Sequence, residues 1–178
     1  MTEFEPPLPG SWDRTPSGHA IANHEAAHVV VAEHHGIVVV EARVDRPIDT
    51  HAGTGGWTRF AKADSLTPEL LKEALYVAIA PAAAEGRTID RSTAARDGAD
   101  EATAERLAYL LGWGDVEWNR AHDHVRTLLS LPSLRRRLAQ VSGLLLERGA
   151  ISGADLTASL TDGRGAELPS KRPGVTAG

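Results

Sequence analysis

Apolar side chains recur on nearly every face of a helical projection through IANHEAAHVVVAEHHG (21–36), which predicts a buried helix. It should start at Ser17 or His19 and run to His35, with Gly36 as the residue just past its end. IVVVEARV (37–44) is β-branched and predicts a strand, and GGWTRF (55–60) predicts a second after a glycine-rich loop. Thr67-Pro68-Glu69 opens another helix, with Thr67 as the cap and Pro68 at the first position. That helix carries ELLKEALYVAIAPAAAEG to near Gly86, with a kink expected at Pro81. A polar loop leads to a helix over about 99–112. VEWNRAHDHVRTLLSL and SLRRRLAQVSGLLLERG show apolar residues at helical spacing and predict two more, split by Pro132. Ser152 should cap a last short helix over 152–160. There are no internal repeats.

The order of elements predicts a mainly α (α+β) domain with a small sheet after the first helix. Proline and glycine break the pattern over 1–16, and 162–178 is polar and glycine-rich. The folded unit is therefore expected over 17–161, between a disordered arm and a disordered tail.

Composition narrows the chemistry. The chain has 178 residues, 42% hydrophobic and 24% charged, as a globular domain does. Its net charge of −5 disfavours a nucleic-acid partner bound through a basic surface. It has no cysteine, so disulfides, thiolate zinc sites and thiol nucleophiles are excluded together. The acidic, proline-rich start does not read as a secretory signal. No apolar run approaches the roughly 18–20 residues that span a bilayer. A cytoplasmic location is the expectation.

Within the first helix, His24-Glu25-Ala26-Ala27-His28 matches HExxH. Residues four apart lie one above the other on a helix face, so His24 and His28 can grip one metal ion. Glu25 flanks that face, within reach of a metal-activated water as general base. A helix merely rich in histidine is the alternative. It is disfavoured because an unpartnered His–Glu–His group in an apolar helix is costly to bury. With no cysteine available, zinc would be held by His and a carboxylate.

His34 imitates a third ligand of the pattern HExxHxxGxxH. That pattern needs a glycine where Val31 stands, and a β-branched residue resists the positive φ of such a turn. If the helix continues, His34 lies roughly 240° round from His28 and about 9 Å further along. His35 returns to the right face about 10 Å too far along. Both read as ordinary residues of a helix end. The third ligand must come from a distant element, and Asp97 and Asp100 in STAARDGADEATAERLAYLLGWG (92–114) are the candidates. Either could instead serve as a cap or first-turn acid of the helix that follows.

The ordered series HEAAHVVVA, GTGGWTRF, LYVAIAPAAAEG, GADEATAERLA, Trp113-Gly114 and LRRRLAQVSGLLLERGAISGADL resembles the zinc peptidase domain of the FtsH family of AAA+ proteases. The resemblance spans about 20–156. It implies a helical, zincin-like peptidase fold and a zinc-dependent endopeptidase. Zn2+ would be held by His24, His28 and an aspartate, with Glu25 as the catalytic base. The family's third ligand is followed by alanine at +4 and Leu-Ala at +7 and +8. Ala104, Leu107 and Ala108 meet that pattern from Asp100. Counted from Asp97 the same positions are Glu101, Ala104 and Glu105. Asp100 is preferred, although TAARD before Asp97 also resembles the family.

Ala27 replaces the family's glycine inside the motif, and Ala80-Pro81-Ala82 replaces its Gly-Gly-Arg. Nothing resembles the AAA+ module. The resemblance thus implies a stand-alone peptidase that is ATP-independent by itself. Its substrate would be an unfolded or presented polypeptide, and its partners a homo-oligomer or a separate ATPase or regulator.

Two other readings fit the same residues. One is a catalytically silent zinc-binding regulatory or interaction module. The other is a repressor-cleaving peptidase of a mobile-element switch. Among the remaining groups, the glycine-rich stretch before Trp57 reads equally as an edge strand for a substrate chain or as a loop and hairpin strand. His51 is not expected to bind metal. His122 and His124, two apart, should be a solvated pair. Arg135-Arg136-Arg137 should be a charged helix face. Trp57, Trp113 and Trp118 should anchor core or interface.

Overall fold

The computed structural model describes residues 18–45, 55–63 and 65–164, with only the backbone for Asp97 and for 160–164. The arm expected over 1–16, His51, and 165–178 of the expected tail lie outside the described residues. The elements run α1 (Gly18–His34), β1 (Val39–Val44), β2 (Gly56–Phe60), α2 (Pro68–Ala84), α3 (Ala94–Asp97), α4 (Ala99–Leu110), α5 (Asp115–Ser130), α6 (Pro132–Arg148), β3 (Ala150–Ser152) and α7 (Gly153–Arg164). The protein is mainly helical with one small sheet, as its pattern predicts.

Helix α1 is the centre of the fold. It packs against α2, α6, β1 and β2. Ten of its residues are buried, including every position from Glu25 to Ala32, which explains why its sequence lacks a polar face. It ends before Gly36, so Val31 lies inside a continuous helix. Helix α2 starts as its sequence dictates: Thr67 Oγ1 accepts the Leu70 amide at 3.2 Å, a cap worth about 1 kcal/mol. Pro81 sits within α2, which continues to Ala84. Pro132 separates α5 from α6 by taking the first position of α6 and holding Leu131 extended.

The sheet has the order β2-β1-β3, antiparallel throughout. Strand β1 turns Ala42 and Val44 into the core, where their β2 partners are Thr58 and Gly56. The opposite face carries the cross-strand pairs Glu41↔Arg59 and Arg43↔Trp57. Among the described residues β2 has a neighbouring strand on one side only. Strand β3 and helix α3, three and four residues long, have no counterpart in the sequence pattern. Helix α7 runs to Arg164, past the expected boundary at 161. Among the described residues no helix is long and apolar enough to cross a membrane.

Two expectations are corrected. His122 is not solvated: it is 2% exposed, its ring 5.3 Å from that of Trp118, and neither ring nitrogen has a hydrogen-bond partner among the described residues. It occupies the apolar stripe formed by Trp118, Ala121, Val125 and Leu129, so the helical position overrides the residue type. His124, on another face, is exposed. Arg137 is likewise not part of a charged face. At 8% exposure it donates from Nε and Nη2 to Glu33 at 2.9 and 2.7 Å, and to Ser159 Oγ and the Leu156 carbonyl. It ties α6 to the end of α1 and to α7. Removing one partner of such a pair costs about 3–5 kcal/mol.

Candidate metal centre

His24 and His28 stand one turn apart on α1, with ring centroids 5.2 Å apart. Helix α4 brings a carboxylate to both: Asp100 Oδ2 lies 2.9 Å from His24 Nε2 and 3.3 Å from His28 Nε2. One ligand atom from each of the three residues falls within 4.8 Å of the others. Among the described residues no other group of His, Asp or Glu does so. The reason α4 sits here can be read along its length. Asp100, Ala104 and Ala108 share one helix face, and both alanines are fully buried. Helix α4 packs against α2, and small side chains on that face permit a close approach.

Asp97 closes α3, and Gly98 separates it from α4 in extended backbone. Its side chain is outside the described residues. His34 and His35 lie at the other end of α1, away from the group.

Each histidine has a second partner that orients it. His28, 6% exposed, donates from Nδ1 to the Val77 carbonyl at 2.9 Å, because a carbonyl can only accept. Its other nitrogen, Nε2, is thereby directed at Asp100. His24 Nδ1 lies 3.3 Å from Glu85 Oε1, at the end of α2. Outer partners of this kind, a backbone carbonyl and a carboxylate, are those that fix the tautomer of metal-binding histidines. The donor set of two imidazoles and one carboxylate suits catalytic zinc. The three residues and their supports therefore fit a divalent metal.

Glu25 is 4% exposed and accepts the Thr58 hydroxyl at 2.8 Å through Oε2. Gly56, two residues earlier on β2, passes so close that a Cβ there would lie 2.6 Å from Glu25 Oε1 and 2.9 Å from the Arg43 carbonyl. Only glycine lets the strand approach the carboxylate this closely. Ala20, Ile21, His24, Glu25, Gly56 and Glu85 line a cleft of about 230 Å3.

The electrostatics follow from this packing. Burial pushes the Glu25 pKa up, against the opposing pull of His28, Thr58 and His24, and it ends raised. Burial also acts against a carboxylate at Asp100, but its hydrogen bonds to His24 and His28 outweigh that, leaving the pKa well below the usual carboxylate range. At His24 burial disfavours the charged ring, yet Asp100, Glu25 and Glu85 prevail and its pKa is raised.

Val77, Thr58 and Glu85 were not singled out in the sequence. A main-chain carbonyl leaves no signal there, but Glu85 lies in the AAAEG stretch and Thr58 in GGWTRF, both parts of the resemblance. No protein-family model matches the chain, and no curated protein matches it either.

Proposed function

We propose that the chain is a zinc-dependent endopeptidase of the FtsH-peptidase type, working in the cytoplasm, whose cleavage step needs no ATP. The observation that carries this reading is the convergence of His24, His28 and Asp100 beside a buried Glu25, at a cleft bordered by an edge strand. The three residues would hold the ion. A zinc ion there supplies a Lewis acid that polarises the scissile carbonyl and makes water a nucleophile near neutral pH. Glu25 takes the proton from the attacking water and delivers it to the leaving amine. Its raised pKa moves it towards the range in which a carboxyl group exchanges protons near neutrality. Thr58 holds Oε2, which keeps the carboxylate in one orientation. Strand β2, which has no neighbour on its outer edge among the described residues, would pair there with an extended polypeptide, which suits unfolded or flexible substrates.

Glu25→Gln is the test. It keeps the side-chain shape but cannot take the proton. Metal binding should persist while cleavage of unfolded casein falls by at least about a hundredfold, the usual weight of a general base. Equal cleavage by both proteins, or none by the wild type with zinc bound, sinks the reading and leaves a zinc-binding module without turnover.

A further inference from the structure

Three carboxylates, Glu25, Glu85 and Asp100, surround the two histidines, and one arginine reaches Glu85 together with Glu101, the neighbour of Asp100. Helix α2 ends at Ala84, and Gly86 turns the chain in the left-handed conformation (φ 71°) that glycine adopts freely. The amide of Arg87 then donates to the Ala82 carbonyl at 2.8 Å, so its backbone is anchored to the helix it has just left. From there its side chain donates through Nε to Glu85 Oε2 at 2.6 Å and through Nη2 to Glu101 Oε1 at 3.4 Å. The other oxygen of Glu85 is the one beside His24 Nδ1. Glu101 is the neighbour of Asp100 in the first turn of α4.

We propose that Arg87 is a positioning residue of the metal centre: its guanidinium holds Glu85 against His24 and fixes the first turn of α4, with Asp100, against the end of α2. The proposal rests on the metal-hydrolase reading above. Without a cation between them, Glu85 and Glu101 repel each other and Glu85 turns to solvent. His24 then loses its outer partner, and α4 loses a tie to α2. The fork geometry matters. Nε and Nη2 address two carboxylates at once, whereas a lysine ammonium at the end of a flexible stem reaches one well.

The test uses the full chain, with zinc affinity measured by chelator competition and cobalt(II) absorption as a reporter of ligand geometry. Arg148→Ala is the control, because Arg148 is as exposed as Arg87 (both 49%) and its pair with Asp155 lies between α6 and α7. Arg87→Ala should weaken zinc binding about tenfold or more, the range for outer partners of metal ligands, and should alter the cobalt spectrum. Arg87→Lys should recover part of the affinity. The metal-free variants should melt no lower than Arg148→Ala. Wild-type affinity and spectrum in both Arg87 variants overturn this proposal alone, as does an equal affinity loss in Arg148→Ala. A wild-type chain that takes up no metal overturns both this proposal and the reading beneath it.

Discussion

Helix α1 carries two pairs of histidines that live in opposite surroundings. His24 and His28 face Asp100, with Glu85 and Glu25 close by. His35, at the far end, faces Tyr76 with ring centroids 5.4 Å apart, and His124 stacks on the same tyrosine at 4.6 Å. Lys72 Nζ lies 5.8 Å from that ring, and His34 packs edge-on against His35. The first pair is surrounded by acids and the second by bases. His24 is accordingly shifted up, while burial, reinforced by His34, His124 and Lys72, pulls His35 down to about 4. Helix α2 serves both ends: Val77 orients His28, and the adjacent Tyr76 fills the space between His35 and His124. Histidine content alone therefore does not distinguish a metal centre. What sets the candidate site apart is the carboxylate brought in by a distant helix.

The sharpest way to break this comparison is to remove that carboxylate. Asp100→Ala should lower zinc affinity by more than about a hundredfold, beyond the loss expected for an outer partner. His34→Ala, His35→Ala and Asp97→Ala should retain wild-type affinity in the same chelator competition. If Asp97→Ala loses the metal while Asp100→Ala keeps it, the two aspartates exchange roles and the contrast between the two ends of α1 collapses.

What the sequence made legible follows the same division. The apolar run of α1, the cap at Thr67 and the break at Pro132 are local signals, and the corresponding helices stand within a residue or two of where they were expected. Asp100 was reachable because Ala104 and Ala108 repeat its helical phase, which the resemblance turned into a choice over Asp97. Pairings across long separations were not legible. His24 meets Glu85 across 61 residues, and β3 joins β1 through only three residues of its own. His122 and Arg137 depart from expectation for a different reason. Both lie on the inward stripe of an amphipathic helix, and spacing deserved more weight than polarity.

A smaller effect is expected from the strand that touches Glu25. Gly56→Ala places a methyl group against a flexible carboxylate and, less avoidably, against the Arg43 carbonyl. Overpacking of this kind costs about 1–3 kcal/mol. Because Gly56 touches the proposed base rather than the proposed metal ligands, cleavage of casein should fall by about tenfold while zinc affinity stays within about twofold of the wild type. Loss of both together would place the strain on the histidines and blur the separation between base and ligands.

The smallest effect concerns the basic end of α1, and its sign is set by proton linkage. His35 and His122 both have pKa values lowered in the folded protein, His35 to about 4. Between that value and the ordinary 6.5 the unfolded chain binds more protons than the folded one, so stability falls as pH falls through this window. Buried nitrogens strengthen the effect: His35 Nε2 and both nitrogens of His122 have no hydrogen-bond partner among the described residues, so nothing accepts an added proton. The neighbours offer little relief, since Lys72, His34 and Arg126 are basic and only Asp123 favours protonation of His122. A His35→Gln, His122→Leu double variant removes both groups from the balance but leaves His24, His28 and Asp100 intact. Melting temperatures at pH 7.5 and 5.0 then isolate the basic end, because acid loss at the metal centre is common to both proteins. The wild type should lose about 2–4 °C more than the double variant, the equivalent of about 1 kcal/mol in a domain of this size. Equal losses would mean that these histidines relax into solvent on protonation, and that the contrast between the two ends of α1 is one of geometry without a thermodynamic consequence.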